Sequence, residues 1–442
     1  VGWETARVGE GTRSAPVSWG APGSRVTRLE LFYDLVFVFA FLNVTTLTGY
    51  HPGAANLYRC LLVVGLLWWC WTGFAGLGNA VRADQGILPL VGFVTVAATF
   101  LLALSMPGAF EDVPGGLNGP LVFATCYLLV RAAQLAIFGW VARGDPERLR
   151  RWALLAVLPV VAALLLVTAA LLPPRIDSGG AATALQLGLW TGALALEYGA
   201  GVALGRAYWV VVSAGHWAER HAQIVLVALG ESIIALGLGQ RFVVDQLPLT
   251  WPVVIAAVTG IAVAAALWWA YFDTLAFAME QALHRARDPA RRGRLARDAY
   301  TFGHLPLVTG IILFALGIKD LLVETADPTS PPWGEPLGGF WILVLYGGVG
   351  LYLLGLVGCG LRAVRILRWR SLVAVAVLAL LSPVAARIPA LAALVLLALV
   401  CVGLVVLGTR GEGRRRREVR RLALAQEVAA EHEASRWRRE HL

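Results

Sequence analysis

The chain has 442 residues, of which 58% are hydrophobic and 15% charged, with a mean hydropathy of +0.70 and a formal net charge of +9. Soluble domains of this length carry a larger charged share, so a soluble globular protein is excluded. The positive charge sits in short flanks between apolar runs, a mark of membrane topology and not of nucleic-acid binding.

The opening VGWETARVGEGTRSAPVSWGAPGS is polar and rich in Gly, Pro and Ser, and residues 1–27 read as a flexible cytoplasmic tail, not a cleavable signal peptide. Twelve apolar segments follow, at about 29–49, 57–79, 86–106, 118–142, 152–172, 182–204, 222–240, 252–278, 299–318, 338–359, 371–386 and 389–408. All but the short eleventh approach the roughly 20 residues that cross a hydrocarbon layer about 30 Å thick. The expected fold is an all-α integral membrane protein of about twelve transmembrane helices. Residues 410–442 form a basic tail, expected to be helical. Its Arg414–Arg417, Arg420 and Arg421 are placed to hold anionic lipid headgroups, at about 1 kcal/mol per residue near the surface.

The basic residues orient the chain. Counting from a cytoplasmic N-terminus, 31 of the 37 lysines and arginines fall in alternate, inner segments. That asymmetry puts both termini in the cytoplasm. The five cysteines lie in or beside apolar spans with no CxxC pair, so neither a disulfide framework nor a zinc site is implied.

Two stretches echo each other. Glu30-Leu-Phe-Tyr-Asp34 leads into the first span and Glu219-Arg-His-Ala-Gln223 into the seventh, and each next span carries a Trp pair, Trp68-Trp69 and Trp268-Trp269. Six spans per half enter the membrane in the same sense. The expectation is a parallel 6+6 pseudo-repeat, residues 28–210 and 211–409, a plan that places transport sites at the repeat interface. Chance recurrence among 17 tryptophans is the competing account.

Ionisable residues at membrane depth are costly and usually face a cavity or a partner. Glu30 and Asp34 share a helix face, to which Thr45 and Thr48 return. Arg131, in TCYLLVRAAQLAIF, needs a carboxylate, and Asp34, Glu197 and Glu231 are the candidates. The pair is either a fixed structural link or one that opens for a substrate or proton. In His216-Trp-Ala-Glu219-Arg220-His221, the residues His216, Glu219 and Arg220 share a face with Gln223, Gly230 and Glu231, so a polar seam is expected from the cytoplasmic mouth to mid-membrane. Glu231, about ten residues into its span, would lie roughly 15 Å deep. Simple helix packing is the alternative for Glu231, and the favoured reading for His221, which points off the seam. His216 and Glu219 stand three apart, but no second ligand pair or HExxH accompanies them, so no metal is expected. Asp273 in WWAYFD and His304 in YTFGHLPL complete the set, with His304 weighed against a plain packing role. Asp298 reads as a helix N-terminal charge.

Several of these stretches together resemble the bacterial low temperature requirement protein A (LtrA) family: ELFYDLVFVFA (30–40), RAAQL (131–135), LALE (194–197), HWAERHAQIVLVALGESIIALG (216–237), WWAYFD (268–273) and ARDAYTFGHLPLVTGIILFALG (296–317). The resemblance runs from about residue 25 to 410. It implies a multi-pass bacterial cell-membrane protein, named for a requirement in growth at low temperature, and brings no substrate, cofactor or catalytic residue. The leading expectation is a transporter or ion-translocating protein, acting on an unknown small substrate or ion, with a charged site between its halves. One alternative is a structural, stress-adaptation or partner-binding membrane protein. The other is a membrane-embedded enzyme acting on an apolar substrate, with Glu231 or Asp34 as base, which lacks a nucleophile–base pair or cofactor fingerprint.

Overall fold

The computed structural model describes residues 24–49, 52–112, 115–176, 179–203, 209–237, 249–327, 329–331, 333–411 and 413–441. Most of the expected N-terminal tail, and the stretch where sequence places the end of the seventh segment, lie outside the described residues. Each of the twelve apolar segments gives a helix. The first six are α1 (Arg28–Gly49), α2 (Ala54–Ala80), α3 (Leu88–Ser105), α4 (Gly119–Ala142), α5 (Pro146–Leu171) and α6 (Gly180–Ala203). Then come α7 (Ala214–Gly237), α8 (Trp251–Phe272) and two shorter helices, α9 (Leu275–Arg285) and α10 (Pro289–Leu295). The last five are α11 (Gly303–Ala326), α12 (Gly339–Cys359), α13 (Trp369–Ala385), α14 (Ala390–Gly411) and α15 (Gly413–His441). Among the described residues, nine helical stretches are long and apolar enough to cross a membrane. α13 is shorter, and α6 and α7 fall outside that group; α7 does so while carrying His216, Glu219, Arg220 and Glu231.

Local chemistry sets several boundaries. Asn118 accepts from the Leu121 amide at 2.9 Å with Pro120 in the first turn, a favourable start for α4. Asp288 does the same for α10, accepting from the amides of Ala290 and Arg291, each at 3.1 Å. One boundary corrects the sequence reading: α7 begins at Ala214, not near 222. The polar run HWAERH is helical because its buried groups are satisfied: His216 and Arg220 find partners on α1, and His221 bonds the Trp217 carbonyl of α7 itself.

The helices fall into two sets with the same order of neighbours. In the first, α1 packs on α2 and α3, contacts pass from α3 through α4 and α5 to α6 and back to α2, and α2 touches α4. In the second, α7 packs on α8 and α11, contacts pass from α11 through α12 and α13 to α14 and back to α8, and α8 touches α12. The sets meet where α1 and α2 pack on α7 and α11. The Trp pairs do not share this equivalence: Trp68 and Trp69 are buried, whereas Trp268 is exposed.

The outer faces are apolar as well as the core. α5 turns Leu154, Val157, Val160 and Leu164 outward, and α14 does so with Leu399 and Leu407, as a lipid solvent allows. α11 and α12 approach backbone to backbone. A Cβ at Gly310 would strike the Gly348 carbonyl oxygen and the Tyr352 amide, and one at Gly348 would press on the Gly310 carbonyl; small residues permit such contact between membrane helices.

Candidate functional site: a charged seam between α1 and α7

α1 and α7 run side by side in the same direction and in register. Glu30 meets His216, Asp34 meets Arg220 and Thr45 meets Glu231, each pair 186 residues apart. At the first level, His216 Nε2 lies 2.9 Å from Glu30 Oε1. Asn79 of α2 donates to the Ser213 carbonyl at 2.7 Å and approaches His216 Nδ1 at 3.3 Å. With Nδ1 accepting from Asn79, Nε2 carries the proton and donates to Glu30. The other Glu30 oxygen accepts from the Thr27 amide and hydroxyl, both at 2.9 Å. Gly78 makes room for this carboxylate, because a Cβ there would overlap Glu30 Oε1.

At the second level, Arg220 grips Asp34 with both terminal nitrogens, Nη2 at 2.8 Å from Oδ1 and Nη1 on Oδ2. Arg220 Nη1 also donates to the Glu30 carbonyl oxygen at 3.2 Å. Trp71 donates to Asp34 Oδ1 at 2.9 Å, and the guanidinium lies 5.6 Å from the Trp71 ring centroid. Glu30 and Arg220 are both 0% exposed. A forked, doubly bonded ion pair with an aromatic wall is the geometry that makes a buried arginine tolerable.

The third level is different in kind. Glu231 is enclosed, with Thr45 Oγ1 3.2 Å from its Oε1. Lys319 of α11 donates to Thr46 Oγ1 at 3.1 Å and acts electrostatically on Glu231. Glu231 lies fifteen residues beyond His216 on α7. The seam thus runs most of the length of α7.

Arg131 stands apart from the seam. Of its three candidate partners the structure gives Glu197: Nε on Oε1 and Nη2 on Oε2, both at 2.9 Å. Tyr127 donates to the same carboxylate at 2.7 Å, and Gln134, bonded to Arg131, donates to the Cys70 carbonyl at 2.7 Å. This cluster ties α2, α4 and α6 together.

A third enclosed group surrounds a π-helical turn, Ala296–Phe302, of a kind often found at functional sites. Here His304 Nδ1 lies 3.1 Å from the Ala299 carbonyl, so Nδ1 carries the proton and Nε2 accepts from Tyr271 at 2.7 Å. His221 stacks edge-on against His304 and Trp71, and its Nδ1 donates to the Trp217 carbonyl at 2.9 Å. His304 therefore joins an aromatic box, not the acidic seam. Asp298, in the first turn of this π-helical segment, pairs with Arg297 and Arg362.

Two further sequence candidates lie outside these groups. Glu219 is half-buried, with its Oε2 3.4 Å from the Val26 amide. Asp273 pairs with Arg420 of α15 at 2.7 Å. Sequence reasoning missed Trp71, Asn79 and Tyr127. It gave no sign that Lys319 reaches Thr46 of α1. A buried Asn near the end of an apolar helix was a readable signal for Asn79, whereas nothing local marks Trp71 among neighbouring tryptophans.

Many long apolar helices with apolar outer faces, enclosing paired charges, define a multi-pass membrane protein. The chain belongs to the LtrA family: the family described as Bacterial low temperature requirement A protein matches residues 25–406. An uncharacterised protein of Rhizobium meliloti (strain 1021), RA0937, is 26% identical over 301 residues, which cover 65% of this chain and 67% of that protein. No solved structure matches. The matched range includes the whole seam and leaves out α15.

Proposed function

We propose that this protein is a transporter or ion-translocating protein of the bacterial cell membrane, with its charged site between two parallel six-helix halves. The observation that carries this reading is the in-register seam, in which every level joins a residue of α1 to one of α7. Charges enclosed among apolar helices are costly and are commonly kept where they handle charge. The matching neighbour order of α1–α6 and of α7, α8 and α11–α14 supports the repeat, and α1 and α7 occupy equivalent places in it. The α1–α7 direction also fits an even number of crossings between them. On this reading there are twelve spans with both termini cytoplasmic, and the basic face of α15 meets anionic headgroups.

The test is charge movement in proteoliposomes under imposed H⁺, Na⁺ and K⁺ gradients. Wild type is expected to give currents that Asp34→Asn reduces at least tenfold at equal reconstituted amounts. Equal currents in the two proteins, or none in either, would overturn transport and favour a membrane-structural role for the seam. The orientation is tested by a C-terminal tag, which should be labelled only in permeabilised cells.

A further inference from the structure

Glu231 is 0% exposed, and its Oε2 meets no hydrogen-bond partner among the described residues. Its Oε1 lies 3.2 Å from Thr45 Oγ1, which is itself 2.8 Å from the Leu42 carbonyl oxygen. A threonine hydroxyl has one proton, and a carbonyl oxygen only accepts. An ionised Glu231 would have to share that one proton with the Leu42 carbonyl, whereas a carboxylic acid can donate to Thr45 while Thr45 donates to Leu42. Hydrogen-bond accounting therefore describes a neutral carboxylic acid that donates to Thr45. An ionised carboxylate with one oxygen facing no donor would be strongly disfavoured in these surroundings.

Among the described residues the neighbouring groups are few. Lys319 of α11 is held by Thr46, whose own hydroxyl donates to the Leu42 carbonyl at 2.8 Å. Asp320 follows it on α11 under the influence of Glu324. From α2, Cys60 sits beside Thr48. α8, packed on the other side of α7, carries no Asp, Glu, Lys, Arg or His. Among the described residues Lys319 is thus the cation placed to answer a charge on Glu231.

We propose that Glu231 is a proton-binding site with Lys319 as its exchangeable counter-charge. In one state the carboxylic acid donates to Thr45 while the ammonium rests on Thr46. In the other, the O–H bond breaks, the proton passes to a water molecule to give hydronium, and the ammonium, keeping its three protons, turns from Thr46 to the carboxylate. Reprotonation reverses the exchange. Glu231 sits on α7 and Lys319 on α11, so the proton alters the contact between those helices. The same α7 carries Arg220 eleven residues earlier, and a shift of α7 reaches the Asp34 pair. The use of the proton for transport rests on the preceding reading; the proton site itself does not.

The test is infrared difference spectroscopy on the full-length protein in lipid, titrated in H₂O and D₂O. Wild type should show a protonated-carboxyl C=O band at neutral pH that shifts on deuteration and is missing from Glu231→Gln. In Lys319→Met the band should persist to a pH at least one unit higher than in wild type, whereas Lys319→Arg should follow wild type. The lysine variants keep the test decisive if Glu231→Gln folds poorly. An unchanged carboxyl spectrum in Glu231→Gln, or a titration that Lys319→Met does not move, would overturn the proposal. A band with its Lys319 dependence but no proteoliposome current sustains the proton site and removes transport. Current without the band does the reverse.

Discussion

Glu197 and Glu231 are both 0% exposed, yet they live in opposite chemical conditions. Glu197 receives Arg131 through two nitrogens and Tyr127 through its hydroxyl, so both oxygens are bonded and the charge is matched. Among the described residues Glu231 has a single hydrogen-bond partner, Thr45, and its nearby cation is bonded elsewhere. Burial alone therefore does not sort a fixed link from an exchangeable group. The state of the lone pairs does, because a saturated ion pair resists opening and an under-bonded acid has a second arrangement within reach.

The most severe way to break this contrast is Arg131→Ala, which strands the Glu197 carboxylate. A loss of about 3–5 kcal/mol is expected, read as a collapse in the monodisperse fraction on size exclusion. Replacing both Arg131 and Glu197 by Leu should recover much of that loss. Equal damage from the single and double changes would show that the pair is not the staple it looks to be. Asp34→Asn should cost less, about 1.5–3 kcal/mol, since the amide keeps one acceptor for Arg220 and Trp71 while losing the charge-assisted bonds. Thermal unfolding followed by tryptophan fluorescence measures it.

Gly78→Ala sharpens the contrast without touching a charge. Its methyl group would claim the space of the Glu30 carboxylate, and overpacking of this kind costs about 1–3 kcal/mol. A melting temperature equal to wild type would mean that Glu30 moves freely and that the first level of the seam is loose. Arg420→Ala, which removes an exposed contact to Asp273, should cost less than about 1 kcal/mol. Glu231→Gln is expected to be the mildest change in stability, since a neutral acid gives way to a neutral amide of the same shape. A large loss of folded protein from Glu231→Gln would place Glu231 beside Glu197 as a structural charge.

The helices were legible because a membrane imposes composition on every residue that faces it, and runs such as those of α5 and α14 announce themselves. α7 was legible only in part. Its first two turns read as a polar approach to the membrane, since hydropathy cannot know that Glu30, Asp34 and Asn79 stand ready to receive His216 and Arg220. Arg131 showed that it needed a carboxylate but not which one, because the lateral order of helices is set by contacts far apart in sequence. The Lys319 contact was unreadable for a related reason: a single lysine near a helix end looks the same whether it faces solvent or is bonded to a threonine on a neighbouring helix. The likeness of Trp68-Trp69 to Trp268-Trp269 was a likeness of letters only, and burial separates them.

The glycine contact between α11 and α12 bears on how the molecule would move. Where Gly310 and Gly348 meet, no side chains stand between the two backbones to slide or re-pack. On the proposed transport reading, the pair would serve as a stator. Lys319 is mounted on it, whereas Glu231 and Arg220 ride on α7. A transport stroke, on that reading, would be a stroke of α7 against a fixed post, with the lysine as the stop it strikes.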